Sequence, residues 1–230
     1  MDTPPTPEYP DRMNAFMTTE HFTLQSARSV INGEIMNRVN IYFTTLSSVL
    51  IASAFLAQVP EMDDLFRLFI WIAFPVEILL GLFTMARLMR LGRMDFIYIR
   101  AINRVRQFYV QAMPEVAGYL LFPPHDDDRS TRAYGGYLTD FRGNLLSATN
   151  AVAVTNSIVA TVLLSALISL SLGMTTLGFL PYGLGILVLI YILQGLLGAS
   201  LARVDLRPEY GEVRFPAPIS DPHLDKASER

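Results

Sequence analysis

The sequence predicts an all-α membrane protein with four transmembrane helices, the first two extended into a cytoplasmic amphipathic helical hairpin. Three observations carry that prediction. Hydrophobic residues make up 51% of the 230 residues and charged residues only 17%, against roughly 25% charged in a soluble globular domain. Four apolar stretches are long enough to cross a bilayer, since about 20 helical residues span roughly 30 Å of hydrocarbon. The basic residues, finally, avoid the two short connections inside the apolar pairs.

Composition also removes whole classes of function. A net charge of −3 supplies no basic surface for nucleic acid. The absence of cysteine excludes disulfides, thiolate catalysis and cysteine-ligated metal. Of the 18 basic residues only Lys226 is lysine, a skew common in GC-rich coding that points to a bacterial source.

Residues 1–18 are proline-rich without an apolar period and read as a disordered leader. No basic stretch followed by a short apolar run opens the chain, so the first long apolar segment is expected to stay as an anchor. Thr19 followed by Glu20 suits a helix start, a hydroxyl to cap free N–H groups and an acid favoured by the dipole. Leu24, Ala27, Ile31, Ile35 and Val39 then recur at three- and four-residue steps, an amphipathic helix. It runs without a breaker into the first span, about 40–59, which Pro60, Glu61, Asp63 and Asp64 end. The second span, about 66–88, contains Pro75 and Glu77. Beyond it, Met94, Tyr98, Ala101, Val105, Phe108 and Ala112 make a seam with a period near 3.5, predicting a helix over 94–113 that Pro114 closes. Together 19–121 form the first half.

Residues 122–131 read as a loop, and His125-Asp126-Asp127-Asp128 within it as a solvated acidic turn. It lacks the glycine and distal glutamate of a calcium loop. A helix from about Arg132 leads into the third span, about 149–172. Gly173–Gly178 makes a short turn, the fourth span covers about 179–201, and this second hairpin occupies 132–204. The Pro-rich tail, 205–230, is expected to be flexible. Asn40 and Asn150 mark corresponding inner boundaries of the two hairpins. Seventeen basic residues lie before the first span, between Arg87 and Arg142, or from Arg203 onward, and only Arg67 lies in a hairpin turn. Both termini are therefore expected in the cytoplasm, with the spans in the cell membrane.

Glu77 is the one formal charge well inside a span, and a charge at mid-bilayer costs on the order of 2.5–3.5 kcal/mol. Its escapes are protonation, a wet cavity or polar partners on neighbouring helices. Pro75 lacks an N–H and frees the Trp71 carbonyl, which predicts a kink beside it. Depth counting puts Glu77 level with Ser47, Ser48 and Ser53, with Ser157, Thr161 and Ser165, and with Tyr191 and Gln194. These residues form a possible intramembrane polar or ion site. Rows of small and hydroxyl residues, Ser157 among them, and Gly195, Gly198, Ala199 and Ala202 more often serve close helix packing than a pore lining. Arg93, Arg100 and Arg104 suit lipid headgroups or the solvated face of a cytoplasmic helix. No P-loop, nucleophile elbow, metal-binding or dinucleotide signature is present, so no catalytic residue, cofactor or metal is expected.

The segments Glu20–Arg28 (EHFTLQSAR) and Arg100–Tyr109 (RAINRVRQFY) resemble signatures of uncharacterised bacterial four-span membrane proteins, over roughly residues 20–120. The resemblance implies a multi-pass protein of the cell membrane and brings no activity with it. More loosely, the N-terminal helix and two-span hairpin are similar in outline to small membrane effector modules of bacterial conflict systems. The expected function is non-catalytic: association of helices, as a homo-oligomer or with a membrane-protein partner. The alternative is a channel or proton-linked permeation protein built on Glu77 and the Ser/Thr faces.

Overall fold

The computed structural model describes residues 9–135, 147–172, 180–202 and 210–218. Every regular element among them is helical: α1 (Tyr9–Leu56), α2 (Asp63–Ala112), α3 (Asp128–Gly135), α4 (Ala148–Leu172) and α5 (Leu180–Leu201), with 3-10 turns at Pro60–Met62 and Pro114–Tyr119. Among the described residues, four helices are long and apolar enough to cross a membrane.

Proline places the ends of the long helices. Val59 and Met113 each precede a proline and are extended, with φ −111° and −147°. The proline ring crowds the preceding residue out of the helical region, so α1 and α2 stop where they do. The start of α1 differs from the expectation. Helix begins at Tyr9 rather than near Thr19, because Pro10 falls in the first turn, where a missing N–H costs nothing, and Asp11 favours the positive end of the dipole. Pro75 lies inside α2, which is one helix of 50 residues from Asp63 to Ala112. The expected turn at Gly173–Gly178 and the helical lead-in over 136–146 lie outside the described residues.

The chain divides into two units, one of residues 34–91 and 141–204, the other of 1–33, 92–140 and 205–230. In the first, Tyr42 and Leu46 of α1, Met85 and Leu88 of α2, and Val152, Ala153 and Val159 of α4 form the core. Large apolar side chains such as Phe55, Ile72, Phe83, Val162 and Leu196 are exposed on these helices, an arrangement that suits a lipid solvent. Arg87 donates twice to Glu34, at 2.8 and 3.1 Å, tying α2 to α1.

Three glycines in this unit differ in the space around them. A Cβ on Gly81 would overlap the Asn156 side-chain amide, and one on Gly198 would overlap the Met85 methyl, whereas Gly195 has open space there. Gly195 was expected to pack with Gly198. The two positions lie three residues apart on a helix turning every 3.6, so their faces diverge by about 60°, and only Gly198 meets α2. Gly81→Ala is therefore expected to destabilise by about 1–3 kcal/mol through overpacking. Gly195→Ala should stay within about 0.5 kcal/mol. Thermal unfolding in micelles compares the two.

In the second unit, Leu24, Ile102 and Val105 pack with Met17, Tyr98, Ala101, Tyr109 and Tyr134. Thr18 lies opposite Tyr109, hydroxyl to hydroxyl at 3.0 Å, and Arg28 grips Asp95 at 2.8 and 3.2 Å. These pairings run antiparallel. The buried face of α2 here differs from the predicted seam. Ile99 and Ile102 are fully buried and Arg106 nearly so, while Ala112 is exposed. The burial turns toward Ile99 and Ile102 because α3 and the 210–218 segment cover a second side of the helix.

Candidate functional site

The 34–91/141–204 unit contains a chain of polar side chains that engages all four of its long helices. Tyr42 of α1 donates to Asn156 Oδ1 at 3.4 Å. Asn156 of α4 donates to the Ile78 carbonyl of α2 at 3.1 Å and to Gln194 Oε1 of α5 at 2.5 Å. Gln194 donates to Ser157 Oγ at 2.7 Å, and Ser157 donates to the Ala153 carbonyl at 2.7 Å. Every donor hands on to an acceptor, and the series ends on backbone. Tyr42, Asn156, Ser157 and Gln194 are all buried. Polar groups out of reach of water must find partners or forfeit their solvation, and here Asn156 serves as the hub. Gly81 leaves the space that its amide fills.

Glu77 is buried on the same unit. Its Oε1 lies 3.1 Å from Thr45 Oγ1, which also stands 3.0 Å from the Ile41 carbonyl and 2.9 Å from the Tyr42 carbonyl. One hydroxyl hydrogen cannot serve three acceptors. If it goes to a carbonyl, a proton on Glu77 completes the contact; if it goes to Glu77, the carboxylate accepts it.

The residues selected from sequence scatter around this centre. Glu77, Ser157, Thr161 and Gln194 are buried. Thr161 donates to the Ser157 carbonyl at 2.7 Å. Ser165 is half-buried, and Ser48 is exposed. Ser48 is thus not beside Glu77; its hydroxyl donates to Thr44 of its own helix at 2.9 Å. The position that faces Glu77 is Thr45, three residues earlier. Tyr191 is 39% exposed and donates to Asn150 Oδ1 at 2.5 Å, a separate link between α5 and α4. Tyr42, Thr45, Gly81 and Asn156 escaped the sequence reading. The available signal was an uncharged amide in the middle of an apolar run, whose burial cost is comparable to that of a hydroxyl and demands partners.

The other unit corrects two expectations together. The acidic turn is not solvated throughout: Asp126 is fully buried, while Asp128 is exposed. It accepts from Arg104 Nε at 2.8 Å and from the amides of Arg214 and Phe215 at 3.1 and 2.7 Å, while its own N–H donates to the Phe215 carbonyl at 3.1 Å. Asp127 caps α3 through Ser130 at 3.0 and 2.8 Å and accepts from the Ala217 amide at 3.2 Å. Arg100 and Arg104 are correspondingly not headgroup ligands. Arg100 bonds Asp128 and the Tyr210 carbonyl, and Arg104 bonds the Glu212 carbonyl at 2.5 Å. Arg93 is exposed. Residues 210–218 of the tail are therefore fastened along their backbone. The rest of 205–230 lies outside the described residues.

Burial alone would raise the Asp126 and Asp127 carboxyls, but the hydrogen bonds from Arg104 and the 214–217 amides to Asp126 and Asp127, with those from α3 to Asp127, outweigh it and hold both below the ordinary range. Carboxyls depressed in the folded state stabilise it fully above the ordinary value of about 4, and that stabilisation fades as pH falls through the lower folded value. The amide resonances of Arg214 and Phe215 in 15N-labelled protein should accordingly hold from neutrality to about pH 4 and move only below it. Movement already at about pH 6 would contradict this assignment.

Among the described residues, no group of three or more His, Asp or Glu side chains could hold a metal. No protein-family model, curated protein or solved structure matches the chain.

Proposed function

We propose that the chain is a non-catalytic multi-pass protein of a bacterial cell membrane, of the uncharacterised four-span kind, that acts through association of its helices. Four helices of transmembrane length and apolarity support the spanning part of this reading. The distribution of basic residues, with Arg67 alone in a hairpin turn, supports cytoplasmic termini. On that topology the antiparallel α1 and α2 segments around Leu24 and Ile102 form a cytoplasmic hairpin.

The carrying observation is that the polar side chains among the apolar helices are consumed by one another. Tyr42, Asn156, Gln194 and Ser157 join four helices, and the Ser48 and Thr161 hydroxyls are returned to their own backbone. Such bonds act as adhesive between helices. Gly195, with open space where a Cβ would stand, and half-buried Ala199 leave a small-residue surface suited to a further helix, from a second copy or a membrane partner. The chain has no cysteine of its own, so Gly195→Cys supplies a single crosslinking site. Oxidation in native membranes is expected to give a dimer or a discrete adduct. Monomer alone, at native expression, would count against association through this face.

One observation favours a second reading, proton-linked permeation. Glu77 is buried with a lone hydroxyl partner and no cation among the described residues. Proteoliposome proton flux that is present in the parent and abolished by Glu77→Gln would support it. Flux indifferent to that change would retire it.

A further inference from the structure

The unit of residues 1–33, 92–140 and 205–230 holds a cavity of about 390 Å³ that the readings above do not use. Its volume falls within the roughly 300–1,000 Å³ of small-molecule sites. Phe22, Leu120 and Tyr134 supply apolar wall, and His21, Arg106 and Tyr109 supply polar groups.

The polar groups are unusual in what they lack. Arg106 is 8% exposed. Its guanidinium donates to the Phe122 carbonyl at 2.6 Å, reaches Asn103 Oδ1 at 3.5 Å and lies over the Tyr134 ring at 4.9 Å. No carboxylate among the described residues pairs with it, whereas Arg28, Arg87, Arg100 and Arg104 each have one. His21 Nδ1 is buried in the same wall without a hydrogen-bond partner. A buried cation is normally paired with an anion, because the protein interior does not replace its hydration. Burial, and then the neighbouring Arg106 charge, hold the His21 imidazole below its ordinary value, and burial likewise depresses Arg106. Both departures follow first from burial.

We propose that this cavity binds a small organic carboxylate, its charge held by Arg106 and His21 and its apolar body held by Phe22, Leu120 and Tyr134. Guanidinium and imidazole supply charge-assisted donors to the carboxylate oxygens, and Tyr134 with the largely exposed Phe22 gives the rest of the ligand apolar contact. The chemistry is shared by fatty acids drawn from a bilayer and by soluble aryl-alkanoates.

Calorimetric titration of the full chain in nonionic micelles tests this with decanoate for the first source and 4-phenylbutyrate for the second. At least one acid is expected to bind, with its uncharged amide about tenfold weaker or worse, since a buried hydrogen bond to a charge is worth about 1.5–3 kcal/mol. Leu120→Trp, which fills the cavity and leaves Arg106 in place, should abolish binding and serve as the blank for partition into micelles. His21→Leu should weaken it several-fold. Arg106→Met should abolish it too, and because Arg106 also holds the Phe122 carbonyl, the Leu120→Trp result decides if that variant misfolds. Neither acid binding at millimolar concentration, acid and amide binding alike, or Leu120→Trp binding as the parent does would each overturn the proposal.

Discussion

Replacing Asp126 by alanine is expected to release residues 210–218 and destabilise their unit by about 3 kcal/mol. The carboxylate is fully buried and accepts from Arg104 and from two tail amides. Truncation strands those amides and the Arg104 guanidinium together, and removing one member of a buried charged network is costlier than the net value of the pair. Asp126→Asn restores the shape and one acceptor, so it should recover part of the loss. Trypsin tests both, because Arg214 stands in the fastened segment; cleavage there should accelerate sharply in Asp126→Ala and less in Asp126→Asn. Equal cleavage in parent and alanine variant would show that the fastening contributes nothing.

Asn156→Ala should be the most damaging change among the apolar helices, at about 2–3 kcal/mol. Single hydrogen bonds between transmembrane helices average about 0.6 kcal/mol and reach about 1.7. Asn156, however, touches Tyr42, Ile78 and Gln194 at once, and its loss opens a void against Gly81. Gln194→Leu removes one branch and Tyr42→Phe another, so each should cost clearly less than the hub. Unfolding titrations in mixed micelles rank the three. Equal losses from all three would mean that the hub holds no special position.

The parts of the fold that were legible in the sequence rest on local physics. The apolar runs announce themselves by composition, and Pro60 and Pro114 end α1 and α2 by constraining the residue before each. What escaped depends on groups far apart in the chain. Nothing near Asp126 reveals that amides 88 and 89 residues away cover it, so a run of three aspartates looks like a hydrated turn. Arg100 and Arg104 read as surface charges for the same reason. Asn156 carries no formal charge and so does not stand out among apolar residues as Glu77 does, although both must be satisfied in an apolar medium. Depth alone does not distinguish Thr45 from Ser48; helix face does, and three residues of rotation separate a side chain that meets Glu77 from one turned outward.

The series from Tyr42 to Ser157 also has a temporal side. Its first and central members are separated by 114 residues, and Gln194 follows Asn156 by 38 more. During biosynthesis Tyr42 and Ile78 precede Asn156 and Gln194 emerges last, so a product stalled before Gln194 carries an asparagine with one of its three partners missing. The finished protein hides the group by which a membrane quality-control protease could tell complete chains from incomplete ones.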